Sequence, residues 1–208
     1  MDDRDVMNVM IIGHSFIRRL RDDLTGEWSN LGFDNDSISV HCYGKGGGRL
    51  RDIYSCMSDA ISTIKPKIVL LQIGGNDIDS RDFENVRDRL ARDLISIAQW
   101  LREGFSVQQV GIMQLFYRGK TRHITVQDYN HSVDSVNDVV KSMCGSIEGC
   151  FYWRHKGLKD AAFDCLCKDG VHLSDKGLRK YKYSVRGAVL WGLTSANREA
   201  AKPRDRSV

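Results

Sequence analysis

The chain has 208 residues, 41% of them hydrophobic and 28% charged, a balance that fits a single globular domain with a substantial core. Lysine and arginine total 31 against 27 acidic residues, and a formal charge of +4 is too small by itself to argue nucleic-acid binding. No apolar run approaches the ~20 residues needed to span a membrane.

The opening MDDRDVMNV is acidic and polar and does not read as a secretory signal. Val6–Ile12 is a short aliphatic run bounded by glycine, which predicts a buried strand. Phe16–Leu24 has helical spacing, and Ser37–Tyr43 alternates as a second strand would. Leu50–Ile64 predicts a helix stopped near Pro66, and Ile68–Ile73 (IVLLQI) is the clearest strand in the chain. Phe83–Glu103 is a long amphipathic helix with a stop at Gly104. Val110–Leu115 predicts a fourth strand, Tyr129–Met143 a helix with a valine stripe, Ile147–Trp153 a fifth strand and Ser174–Leu193 the last helix. The end of the chain is charged, contains Pro203 and reads as a disordered tail.

Strand and helix thus alternate about five times. Continuous aliphatic strands imply burial on both faces, hence a parallel sheet covered by helices on each side. Right-handed crossovers make a doubly wound, flavodoxin-like α/β sheet the leading topology. No internal repeat or low-complexity linker interrupts it.

In such a sheet the working site lies at the carboxyl ends of the strands. After the first strand comes Gly13-His14-Ser15; after the second, YGKGGGRL; after the third, GGNDIDS; before the last helix, KDGVHLSDKG. These loops bring together a hydroxyl, flexible backbone donors, an amide, and Asp169 three residues before His172. That set suits acyl transfer. Ser15 would attack once His172 takes its proton, and Asp169 would hold the imidazole in one tautomer. The Ser15 N–H, a glycine N–H and the Asn76 amide are candidate donors to a developing oxyanion. Ser15 could instead merely cap the helix, and the glycine loop could be a tight turn or a phosphate cradle. Neither glycine-rich loop carries a nucleotide-binding pattern.

The six cysteines predict reduced thiols and a cytoplasmic protein. Cys165, Cys167 and His172 raise the question of zinc, but Cys-x-Cys with no second pair matches no usual template. Lys176, Arg179, Lys180, Lys182 and Arg186 read as a solvated helix face. Arg154–Val208 holds 13 basic and 6 acidic residues, so RNA remains a second partner class alongside a small ester.

These loops resemble the sequence blocks of the SGNH hydrolases, the GDSL-type esterase superfamily. GHS resembles the nucleophile block, YGKGGG the glycine block of the acetylhydrolase-like branch, IGGND the GxND block and DGVHLSDKG the DxxH block. They are also similar to esterase domains of animal LINE-type retrotransposons. The resemblance implies a three-layer α/β/α fold over residues 1–195, with 196–208 as the tail. It implies ester hydrolysis without metal or cofactor, through an acyl-serine intermediate. It assigns Ser15 as nucleophile, Asp169 as acid, His172 as base, and Ser15, Gly47 and Asn76 as oxyanion donors. His14 stands where the family usually has aspartate, which motivates a second reading of the chain as a weakly catalytic interaction module. Short segments between the blocks leave no room for a lid domain, which predicts an open site for short acyl groups such as acetyl. The segment FYRGKTRHITV, with Tyr117, Arg118 and Arg122, is the predicted substrate rim.

Overall fold

In the computed structural model, which describes residues 6–158 and 164–201, five parallel strands form one sheet. They are β1 (Met7–Gly13), β2 (Ile38–Gly44), β3 (Ile68–Gln72), β4 (Gln109–Met113) and β5 (Cys150–Trp153), in the spatial order β2-β1-β3-β4-β5. The helices are α1 (Ser15–Asp23), α2 (Arg51–Ile64), α3 (Gly75–Ile78), α4 (Phe83–Phe105), α5 (Val126–Cys144) and α6 (Asp175–Ala200).

The period-2 alternation of the strands sorts their side chains into two cores. Val9, Ile11, Ile68 and Leu70 face one layer, closed by Phe16, Ile17 and Leu20 of α1 and Tyr181, Val185 and Val189 of α6. Met10, Ile12, Val69 and Leu71 face the other, closed by residues of α2, α4 and α5. The architecture is a three-layer α/β/α sandwich, as expected. Strand order reverses at β1, where the chain winds outward to β2 and then back to β3. The carboxyl ends flanking that switch form the crevice such sheets use for ligands. At Gly44, the last residue of β2, a Cβ would lie 2.0 Å from the Arg18 backbone nitrogen, so only glycine lets α1 pack this close.

Several boundaries differ from the sequence expectation. GNDI, expected as loop, is the single turn α3, too short to leave a periodic signal. Helix α5 starts at Val126, three residues before the expected start at Tyr129, because the Thr125 side chain accepts from the Asp128 N–H and caps it. Strand β5 starts only at Cys150; turn hydrogen bonds, Ser146 N–H to Met143 and Cys150 N–H to Ile147, occupy the preceding residues. Helix α6 continues to Ala200, so 196–200, expected in the tail, are helical. Ala201 caps that helix, and 202–208 of the predicted tail lie outside the described residues.

Candidate active site

The backbone leaves β1 at Gly13, and α1 begins two residues later. A helix start leaves its first N–H groups without helical acceptors. The cap is His14: its side chain accepts from the Phe16 N–H at 3.3 Å through Nδ1. Ser15 is therefore the first helical residue rather than the cap, and its hydroxyl is not spent on the helix. His14 is only 4% exposed. Burial, and after it the Arg118 guanidinium and the neighbouring His172 imidazole, hold its imidazole down to about 3, so it is neutral across the physiological range.

Asp169 and His172 sit on a loop that is tied to itself. Leu166 and Leu173 form an antiparallel bridge; the Cys167 N–H donates to the His172 carbonyl at 2.7 Å, and the Ser174 N–H to the Cys165 carbonyl at 2.8 Å. Cys165 and Cys167 thus belong to the frame of this loop. Asp169 Oδ1 accepts from the Val171 and His172 N–H groups, both at 2.9 Å. Asp169 Oδ2 lies 2.8 Å from His172 Nδ1, and His172 Nε2 lies 3.1 Å from Ser15 Oγ. Partial desolvation opposes ionisation of Asp169, but the two backbone N–H groups and then the imidazole outweigh it, holding the carboxyl well below the usual range. An ionised carboxylate only accepts, so the His172 proton sits on Nδ1 and Nε2 is left to accept the Ser15 O–H. The three groups can pass a proton from hydroxyl to imidazole.

Opposite them lies the turn Lys45–Gly48, closed by the Gly48 N–H donating to the Lys45 carbonyl at 3.0 Å. Gly47 occupies its positive-φ position at +69°. Among the described residues neither the Ser15 nor the Gly47 N–H donates to a protein acceptor. Asn76, in α3, has its amide fixed on both sides. Its Nδ2 donates to the Gly48 carbonyl at 2.9 Å, and its Oδ1 accepts from Arg118 Nη2 at 2.7 Å. An amide nitrogen carries two hydrogens, so one N–H of Asn76 remains for the cleft. Arg118 is itself held by Asp79, Nη1 to Oδ2 at 3.2 Å, and both are nearly buried. The Asp79 carboxylate also accepts the Arg122 N–H and the His123 N–H, each at 3.0 Å to Oδ1.

Ser15, Gly47, Asn76, Asp169 and His172 line one cleft of about 540 Å³. The predicted rim divides. Arg122 lines the cleft and is exposed. Arg118 reaches the cleft wall, but as a buried group occupied by Asp79 and Asn76 rather than a free rim contact. Tyr117 is absent from the cleft lining; its hydroxyl donates to Asp134 Oδ2 on α5 at 2.5 Å. Two participants were not legible as such: Asp79, which the sequence did not single out, and His14, whose capping role has no motif. Asp77 serves structure, accepting the Leu50 N–H at 3.2 Å at the start of α2.

The family described as GDSL-like lipase/acylhydrolase matches residues 15–181. The chain belongs to this family. GDSL-like acylhydrolases are carboxylic ester hydrolases, and the chain is an enzyme of that kind. Solved structures of similar fold include a GDSL-like lipase from Bacteroides thetaiotaomicron, with TM-score 0.68, 15% identity, and 88% of each chain covered. A catalytic mutant of an acetylxylan esterase from Geobacillus stearothermophilus aligns with TM-score 0.67 and 16% identity over 89% of this chain and 96% of that one. An α/β hydrolase from the metagenome of Lake Arreo aligns with TM-score 0.64 and 16% identity, covering 89% and 97%. At such identities these structures establish the shared fold. No curated protein sequence matches the chain, and the comparisons lend no support to a retroelement origin. Among the described residues of this GDSL-like hydrolase, no helix is long and apolar enough to cross a membrane.

Proposed function

We propose that the cleft hydrolyses short-chain esters, acetyl esters foremost, through an acyl-serine intermediate. The observation that carries this reading is the unbroken chain Asp169 Oδ2–His172 Nδ1 (2.8 Å) and His172 Nε2–Ser15 Oγ (3.1 Å). Ser15 Oγ attacks the ester carbonyl carbon while His172 Nε2 takes its proton. The carbonyl oxygen becomes an oxyanion among the N–H groups of Ser15, Gly47 and Asn76. The C–O bond to the alcohol breaks, and His172 returns the proton to the departing alkoxide. Water then attacks the acyl-serine with His172 again as base, releasing the carboxylic acid and restoring Ser15. Asp169 stays ionised throughout and stabilises the imidazolium. The segments between the motifs are short, which suits a small acyl group, a reading supported by the fold shared with acetylxylan esterases.

The alternative, a weakly catalytic or inactive module acting in RNA or protein interaction, rested on His14 in place of the family aspartate and on the basic excess of Arg154–Val208, which includes basic residues of α6. Two of them are engaged within the protein. Lys182 pairs with Asp23 at 2.7 Å and lies over the Trp28 ring, and Arg186 stacks over Phe33. No geometry favours it over hydrolysis.

Hydrolysis of p-nitrophenyl acetate, butyrate and octanoate by wild type and Ser15→Ala tests the proposal. Acetate turnover should exceed octanoate turnover, and Ser15→Ala should lose about 10⁴-fold in rate while staying folded. Equal rates in the two proteins would remove Ser15 from the chemistry.

A further inference from the structure

The walls of the cleft carry a charge imbalance that ester hydrolysis itself does not require. Five permanent cations line it, namely Arg18, Arg49, Arg118, Lys120 and Arg122, against the carboxylates Asp79 and Asp169. Both carboxylates are already committed, Asp79 to Arg118 and Asp169 to His172. The other four cations form no ion pair among the described residues, although Arg49 lies in the field of the buried Asp77 carboxylate. Arg18, Lys120 and Arg122 are exposed and Arg49 is half-buried.

Their placement is two-sided. Arg18 comes from the first turns of α1 and Arg49 from the end of the glycine turn, on the side of Gly46 and Gly47. Lys120 and Arg122 come from the segment after β4. That segment is fastened: the Gly119 N–H donates to the Gly170 carbonyl at 2.7 Å, and the Arg122 and His123 N–H groups bind Asp79. Two cations therefore stand on each side of the Ser15 hydroxyl, on anchored backbone. A cleft lined by one sign of charge between low-dielectric walls concentrates ligands of the other sign. Arginine also offers a planar fork that fits carboxylate and phosphate oxygens.

We infer that this enzyme acts on short-chain esters whose alcohol portion carries two or more negative charges, as phosphate or carboxylate groups, with Arg18, Arg49, Lys120 and Arg122 as the specificity-determining residues. The inference rests on the esterase reading above. The acyl group sits at Ser15 and the anionic alcohol lies across the cation-lined walls. It leaves as a free polyanionic alcohol after the first half of the reaction. The proposal predicts that substrate charge, more than acyl identity, governs kcat/KM.

Four acetates of similar size test this: phenyl acetate (neutral), 4-acetoxybenzoate (one charge), 5-acetoxyisophthalate (two carboxylates) and 4-acetoxyphenyl phosphate (a phosphate). Each kcat/KM is divided by the same ester's rate with hydroxide to remove intrinsic reactivity. For wild type the dianion-to-neutral ratio should be about tenfold or more at low salt. It should fall towards one as NaCl rises from about 0.02 M to about 0.5 M. The variants Arg18→Gln/Arg49→Gln and Lys120→Gln/Arg122→Gln should each lower the ratio, and the quadruple variant should abolish it. The remote pair Lys67→Gln/Lys141→Gln, with Lys67 at the amino end of β3 and Lys141 in the last turn of α5, changes net charge equally and should leave it intact. Using pairs keeps the test valid if the quadruple variant does not fold. A preference for the phosphate arm over the dicarboxylate assigns phosphate as the group recognised; equal preference assigns charge alone.

A wild-type ratio near one, or a ratio that survives both pairs, overturns the inference. If phenyl acetate is still turned over and lost in Ser15→Ala, the esterase reading stands without it. If wild type hydrolyses none of the four acetates, both fall.

Discussion

An amide can stabilise an oxyanion only while its N–H, not its oxygen, faces the substrate. At Asn76 that choice is made by Arg118, which donates to Oδ1 at 2.7 Å, and by the Gly48 carbonyl, which takes one Nδ2 hydrogen. Arg118→Met should therefore lower kcat with little change in KM. The loss is bounded by the ~10²–10³-fold cost of deleting an oxyanion donor outright. Combining it with Asn76→Ala should add almost nothing to Asn76→Ala alone, because both act through one amide. Asp79→Asn should behave worse, since it leaves the buried Arg118 charge unpaired at a cost of about 3–5 kcal/mol of stability. His14 gives a second residue-scale prediction. His14→Asn keeps a side-chain acceptor for the Phe16 N–H, whereas His14→Ala removes it; the alanine variant should be less stable by about 1 kcal/mol. Thermal melts of the two proteins, measured side by side above neutral pH, check it. One cleft gathers Ser15, Gly47, Asn76, Asp169 and His172; residue type and spacing offered Ser15, Asn76, Asp169 and His172 as candidates, and the family resemblance picked Gly47 from among the glycines. The Arg118–Asp79 pair was not legible. Charged residues in loops are ordinarily exposed, and nothing local distinguishes the arginine that turns inward from Arg122, four residues on, which stays out.

The elements were legible where burial is two-sided. Ile68–Leu71 is aliphatic on both faces because both faces are covered, so the strand is visible without any partner. Ends were less legible, since they depend on caps and turns: Thr125 extends α5 back to Val126, and a four-residue turn such as α3 has no period to detect. Packing between elements is hidden too, and Gly44 shows what it constrains. A Cβ there would meet the backbone of α1 rather than a movable side chain. Gly44→Ala should push α1 away from β2, costing about 3 kcal/mol or more. In a chain of this size that lowers the melting temperature by about 6–12 °C. Activity should fall further than stability explains, because Ser15 rides on the displaced helix and the 3.1 Å contact with His172 lengthens.

Across the whole molecule, titration of buried groups should set the acid limit of stability. His14 and His155 are both held down to about 3, chiefly by burial, from an ordinary 6.5. Below 6.5 the unfolded chain protonates these imidazoles while the native chain does not, so stability falls as pH falls. Asp77 acts in the opposite sense. Burial, only partly offset by the Leu50 N–H and Arg49, lifts it from 3.8 to about 6, so between those values the native chain holds a proton the unfolded chain lacks. Two protons against one leaves a net loss of about 1.4 kcal/mol per pH unit near pH 5. Chemical denaturation at about pH 7 and about pH 5 should show that fall. Asp77→Asn should steepen it, and a flat profile would contradict the burial of the two histidines.

The hydroxyl and the imidazole that meet at 3.1 Å are 157 positions apart in the chain. A ribosome therefore releases Ser15 long before it has made His172, and the crossover that brings them together needs all five strands in order. A growing or truncated chain carries the serine without its base. In the proposed reaction, hydrolysis can begin only after His172 has been made and the sheet has closed, so activity doubles as a report that this part of the chain has folded.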